Sequence, residues 1–241
     1  MLILAFESSA KSASAALLKD ESLLAEAFQN NGKTHSATLM PMAQQLLQDC
    51  CVEISDLDCI AVAAGPGSFT GIRIGVAAAK GLAWAAEKPI AAVSTLAGMA
   101  MQLLPAAGVF CPVMDARRNQ VYNALFRSDG TALTRLTDDR AISLEELKQE
   151  LLALDEPVFL VGDGSRLCYR TLSPALSGLQ FPPAHLEMQR ASGVAMAAAV
   201  QAREGRLITH DSLVPNYLRL SQAERERLER MKKAEAEPAD G

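Results

Sequence analysis

The stretch Gly65-Pro66-Gly67-Ser68-Phe69-Thr70-Gly71-Ile72-Arg73-Ile74-Gly75 carries the residue types needed to receive an anion or another chain at close range. An apolar run at 59–64 precedes it and reads as a buried strand. An alanine-rich run at 72–86 follows and reads as a helix. Strand, glycine-rich turn and helix in this order leave backbone N–H groups without partners at the helix start. Gly65, Gly67 and Gly71 carry no Cβ to hold a partner away. Ser68 and Thr70 are both candidate N-caps. Two familiar phosphate sites are excluded by spacing. A P-loop places Lys and then Ser or Thr after its last glycine, whereas Ile72 and Arg73 follow Gly71. A dinucleotide turn needs a third glycine where Thr70 stands.

Other reactive residue types are scattered. Cys50, Cys51, Cys59, Cys111 and Cys168 make an odd count without a CxxC pair, which points to reduced, mostly buried thiols in a cytoplasmic protein. His35, His185 and His210 form no HExxH or HxxxH pattern, so no metal site is expected. His35 at a helix start reads as a cap or surface residue. Asp115 and Asp163 are candidate paired carboxylates, but their separation is not fixed by sequence. Turn capping, or pairing of Asp115 with Arg117, is the plainer role. No G-x-S-x-G elbow is present.

These residues need elements to place them. The 241 residues, 49% hydrophobic and 21% charged, suffice for a sizeable core. A net charge of -5 makes the chain a poor nucleic-acid binder on its own. The apolar start meets Glu7 at once, too early for a signal peptide, and no run is long enough to span a membrane. Strands are expected at 2–6, 12–18 and 22–29, then a helix at 34–51, a strand at 59–64, a helix at 71–87, a strand at 90–93 and a helix reaching 104. After Pro105-Ala106-Ala107-Gly108 the pattern partly recurs. Strands are expected at 109–114, 121–127 and 131–137, a capped helix at 143–154, a strand at 158–161 and a helix at 192–203. The fold class is therefore α/β, with two lobes of related topology, each a mixed sheet with a strand meander and packed helices. The first lobe is placed at 1–105 and the second at 106–221, with its last helix, about 192–204, packing back on the first. A charged, disordered tail is expected at 222–241. Its Arg225, Arg227, Arg230, Lys232 and Lys233 alternate with glutamates and read as a solvated surface.

Two helices carry more apolar surface than one core contact uses. On the 34–51 helix, Leu39, Met42, Ala43, Leu46 and Cys50 share a face, with Met40, Leu47 and Cys51 a quarter turn away. On the 71–87 helix only Arg73 and Lys80 are charged before Glu87, and they share a face with Trp84. Gly75, Ala78, Ala79 and Gly81 would let another helix approach. Another chain, or the second lobe, must cover such a surface. The expected partner interface is Leu39, Met40, Ala43, Leu47, Arg73, Ile74, Ala78, Lys80 and Gly81.

The long glycine motif resembles the signature of the bacterial TsaB family of tRNA threonylcarbamoyladenosine biosynthesis proteins. Asp115-Ala116-Arg117-Arg118 leading to Val121-Tyr122, the Gly162-Asp163-Gly164 turn, and Pro215-Asn216-Tyr217-Leu218-Arg219 support it. The resemblance runs from Met1 to about Arg219. It implies an ASKHA fold (actin, sugar-kinase and heat-shock-ATPase class). It implies a non-catalytic subunit that partners and activates the transferase TsaD, together with the ATPase TsaE, in moving threonylcarbamoyl from its adenylate to the adenosine beside the anticodon. tRNA would be reached indirectly, ATP would be used by the complex and by no site of this chain, and a homodimer would form when TsaD is absent. In this fold the loops at Glu7, Ser8, Ser9 and at Gly67, Ser68, Thr70 correspond to a vestigial phosphate or anion site. Glu7 stands where the family usually has aspartate, and its longer side chain intrudes on that site. An ATP-dependent phosphotransferase of sugar-kinase type and a metallopeptidase-like protein are the alternatives.

Overall fold

The structure is a computed structural model in which residues 1–219 are described; the tail expected at 222–241 lies outside them. The first sheet contains β1 (Leu2–Glu7), β2 (Ala13–Lys19), β3 (Ser22–Gln29), β4 (Cys59–Gly65) and β5 (Ile90–Ser94), ordered β3-β2-β1-β4-β5. Pairing across it is antiparallel, antiparallel, parallel, parallel. β1 and β4 are continuous apolar runs because both of their faces are covered. Leu4, Phe6, Ile60 and Val62 meet the helices α1 (His35–Asp49) and α2 (Phe69–Ala86). Ile3, Ala5, Cys59 and Ala61 meet Val194, Ala195 and Ala198 of a helix from the end of the chain, Ala191–Arg203.

The second sheet repeats the first. It holds β6 (Ala107–Asp115), β7 (Gln120–Asn123), β8 (Phe126–Asp129), β9 (Leu133–Arg135), β10 (Arg140–Ser143), β11 (Val158–Val161) and β12 (Leu179–Gln180). The main path is β10-β7-β6-β11-β12, with the same succession of two antiparallel and two parallel pairings. One strand expected at 121–127 is in fact two. β6 is long enough to pair β8 along Ala107–Phe110 and β7 along Val113–Asp115. Buried Asn123 marks the break, its amide donating to the Pro112 and Ala124 carbonyls at 3.0 and 3.2 Å. β8 and β9 form the added edge.

The remaining helices are α3 (Thr95–Met101), α4 (Leu144–Leu152), α5 (Ser165–Leu172) and α6 (Ala191–Arg203). α3 ends three residues before the expected position. It sends Leu96, Met99 and Ala100 into a core with Phe110, Met114 and Phe126 of the second sheet. α6 lies on the first sheet. The lobes thus exchange helices, and a cut at 105 follows the chain but not the packing. Ser143 and Glu146 close a reciprocal capping box on α4. No helix among the described residues is long and apolar enough to cross a membrane.

Candidate functional site

The residues marked by sequence fall in two regions, the helices α1 and α2 and the cleft between the lobes. α2 starts at Phe69 because Ser68 is its cap, its Oγ accepting from the Gly71 N–H at 3.3 Å. Such a cap contributes about 1 kcal/mol. Thr70 therefore lies exposed in the first turn and caps nothing. Ile72, Val76, Ala79 and Ala83 fill the core. Arg73, Ala77, Gly81, Trp84 and Ala85 form the outward face, with Trp84 70% exposed. Beside this face runs a groove of about 910 Å³, lined by Met40, Ala43, Leu47, Val52, Ile54 and Leu82 among others.

The expected interface set divides. Met40, Arg73 and Gly81 are exposed, and Ile74, Ala78 and Lys80 are half-buried. Leu39, Ala43 and Leu47 are corrections, being packed into the chain's own core. α1 needs a wide apolar face because it rests against both the sheet and α2. A projection counts apolar positions without naming the neighbour that takes them. Ala43 and Leu47 still floor the groove, whereas Leu39 is wholly internal. Val52, Ile54 and Leu82 were not anticipated as groove residues. The first two follow α1, Val52 in a connecting loop and Ile54 at the start of a short 3-10 helix, Ile54–Asp56, too short for periodicity to give a signal.

At the cleft the two expected anion loops meet. Ser68 N–H donates to the Ser9 carbonyl at 2.6 Å, and Ser8 Oγ donates to the Gly71 carbonyl at 2.9 Å. A Cβ on Gly71 would lie 2.0 Å from the Ser8 oxygen, so only glycine permits this approach. The Ser9 N–H donates to Glu7 Oε1 at 2.6 Å. The carboxylate of Glu7 thus uses an N–H that an external anion would need. Burial pushes the Glu7 carboxyl up to about 7, partly offset by hydrogen bonding from Ser9 and reinforced by the charge of Asp163. Burial also raises Asp163, which accepts from Gln189 Nε2 at 2.9 Å. Asp115 plays the plainer role, its Oδ1 accepting from the Arg117 N–H at 2.7 Å and its Oδ2 pairing with the guanidinium at 3.3 Å. Among the described residues no three His, Cys, Asp or Glu side chains converge to hold a metal.

The chain after α6 forms a strap across this cleft. Ile208 bridges to Ile90, Leu213 is buried, and the Asn216 N–H donates to the Ala64 carbonyl at 2.7 Å. Gly65, at φ 123°, lets Asn216 pass: a Cβ there would lie 2.3 Å from the Asn216 oxygen. Tyr217 stacks on Phe69 at 4.5 Å, and its hydroxyl accepts from Arg73 Nε at 2.9 Å. Arg219 then reaches the Ala116 carbonyl of the second lobe at 2.5 Å. The Phe69–Arg73–Tyr217 cluster was missed because 144 positions separate its arginine from its tyrosine. Its traces in the sequence are the glycine-rich motif, which holds Phe69 and Arg73, and the motif at 215–219, which holds Tyr217.

Comparisons with known proteins place these features. A family model described as TsaD, tRNA N6-adenosine threonylcarbamoyltransferase, matches residues 23–227. The tRNA threonylcarbamoyladenosine biosynthesis protein TsaB of Bacillus subtilis is 36% identical over 233 residues, covering 96% of this chain and 100% of that protein. The TsaB protein of Escherichia coli is 30% identical, covering 91% and 95%. The structure of YeaZ from Pseudomonas aeruginosa superposes with a TM-score of 0.77 at 26% identity, covering 90% of this chain and 99% of that one. Component A of the Acidaminococcus fermentans (R)-2-hydroxyglutaryl-CoA dehydratase superposes at 0.52 with 11% identity, covering 84% and 99%, which speaks to the fold alone. The two-lobed duplication is that of the ASKHA class.

Proposed function

The chain belongs to the TsaB family of tRNA threonylcarbamoyladenosine biosynthesis proteins, and on that premise we propose that it is a non-catalytic subunit that docks and activates the TsaD-type transferase. One observation carries the proposal. The outward face of α2 combines small residues, Ala77, Gly81 and Ala85, with a 70% exposed Trp84, beside an apolar groove. Small residues let a partner helix come near, and the indole supplies apolar area to bury. A monomer gains nothing from leaving this face in water.

The cleft supports the absence of catalysis here. Loops that could hold a phosphate instead bind one another and Glu7. ATP is then consumed by the assembly, with TsaE, and not at a site of this chain. tRNA is modified on the transferase, and the whole process is cytoplasmic. Without the transferase, the same α2 face pairs with a second copy, because a self-complementary patch favours a two-fold dimer.

The test is reconstitution. The purified chain shows no transfer to tRNA alone, and adding it to TsaD and TsaE raises transfer. Light scattering finds a dimer alone, replaced by a heterodimer when TsaD is added. Full transfer without the chain, or micromolar Mg-ATP binding by the isolated chain, would reject the proposal, the latter in favour of a sugar-kinase-type phosphotransferase.

A further inference from the structure

We infer that the rim of the interlobe cleft contacts single-stranded RNA in the assembled complex, an inference that rests on the tRNA role proposed above. The cleft, about 470 Å³, is lined by Lys11, Arg117 and Arg219 together with Phe69, Tyr122 and Tyr217. Arg73 lies over the Phe69 ring at 3.9 Å, and Arg118 is exposed next to Arg117. Three basic residues therefore line one opening of a chain whose net charge is -5, and Arg73 and Arg118 lie next to its lining residues Phe69 and Arg117. Two carboxylates share the cleft. Asp115 is tied to Arg117, and Asp163 is tied to Gln189.

The aromatic residues point the same way. Phe69 covers one face of Tyr217, with rings 25° from parallel, and Arg73 fixes the tyrosine hydroxyl. Tyr217 nevertheless stays 38% exposed at the cleft. The Arg73 guanidinium also lies 5.9 Å from the centre of the Tyr217 ring, so an aromatic side chain with area still exposed is fixed among cations, a combination that suits a nucleic-acid base. The backbone adds a third observation. Arg117, Arg118 and Asn119 follow one another at φ 64°, 56° and 57°, a left-handed run of residues that carry side chains. These residues form the turn between β6 and β7, where the Ala116 N–H donates to the Gln120 carbonyl at 3.0 Å and the Gln120 N–H to the Arg117 carbonyl at 3.2 Å, and all three are exposed at its tip. The turn leaves Arg117 81% exposed in spite of its pairing with Asp115.

Single-stranded RNA matches this combination, offering phosphates to the cations and unstacked bases to the ring. A duplex would hide its bases. An acidic protein surface would use the cations and leave Tyr217 without a role.

The full complex with TsaD and TsaE is assembled with wild-type chain or with Lys11→Gln/Arg118→Gln, and its affinity for tRNA is measured from low to physiological salt. Both residues are exposed, so folding is not at stake. The double variant is expected to bind tRNA ~10-fold more weakly, and the slope of log K against log salt to shrink by about 1.4, as for two lost single-strand phosphate contacts. Lys19→Gln/Arg170→Gln, two exposed cations at the end of β2 and on the last turn of α5, removes the same net charge and leaves both unchanged. Ultraviolet cross-linking places RNA on the Tyr217 peptide. Unchanged affinity and slope overturn the inference. So does weakened assembly of the protein subunits with intact tRNA affinity, which assigns the rim to a protein partner. If the wild-type complex binds tRNA but transfers equally well without this chain, the subunit role fails, while the rim is still judged on affinity.

Discussion

Glu7 shows how one residue gives a loop a different purpose. Its carboxylate is buried and accepts from the Ser9 N–H, where a phosphate site would keep that donor free. Burial raises it from the ordinary 4.5 to about 7. As pH rises through that window the unfolded chain loses its proton while the folded chain keeps it. Folding stability therefore falls by about 3 kcal/mol between pH 4.5 and 7 and is level above. Asp163, raised by burial, acts in the same sense. Glu7→Gln keeps the acceptor and removes the charge, so urea unfolding should show it about as stable as wild type at pH 5 and more stable by roughly 2 kcal/mol at pH 8. Equal stabilities at both pH values would contradict the buried carboxylate. That glutamate stands here is plain from sequence. That it points into its own loop is not, because burial depends on Ser68 and Gly71 arriving from sixty positions away.

At the scale of elements, the helices and buried strands of the first lobe are legible because their apolar runs are long. Ser68, Ser94 and Ser143 all cap as their types suggest. β10 and α5 were missed. β10 is four residues without alternation, and α5 is short and polar, burying only Ser165, Cys168 and Leu172. The candidate interface was legible in part. Apolar surplus marked α1 and α2, but the sheet absorbs Leu39 and much of α1, so the unused surface lies mostly on α2. Its two outermost concerns, space and packing, are separated by glycine substitutions. Gly71→Ala brings a Cβ within 2.0 Å of the Ser8 carbonyl, so the usual helix gain is lost in a backbone clash. It should destabilise by about 3 kcal/mol or more in thermal unfolding. Gly81→Ala meets nothing within 4 Å and should stabilise the isolated chain by about 0.5–1 kcal/mol. The same variant should weaken association, because the added methyl stands where a partner helix approaches.

For the whole molecule, two lobes built on one strand order exchange helices, and the strap at 208–219 joins them over the cleft. The duplication was visible as a recurring pattern. The return of the last helix to the first lobe is also expected from sequence; the docking of α3 on the second sheet and the strap are not, since neither leaves a periodic signal. Arg219→Ala removes the hydrogen bond to Ala116. It should loosen the lobes, read as faster amide exchange at 116–120, with a stability cost of about 1 kcal/mol. On the function proposed above, the exposed α2 face is where the partner docks. The most direct test is calorimetric titration of the TsaD-type transferase with wild-type chain and with Gly81→Leu, whose folding is checked by circular dichroism. Wild type should bind, and the folded variant should give no heat of association. A folded Gly81→Leu chain that binds as tightly as wild type would contradict the account.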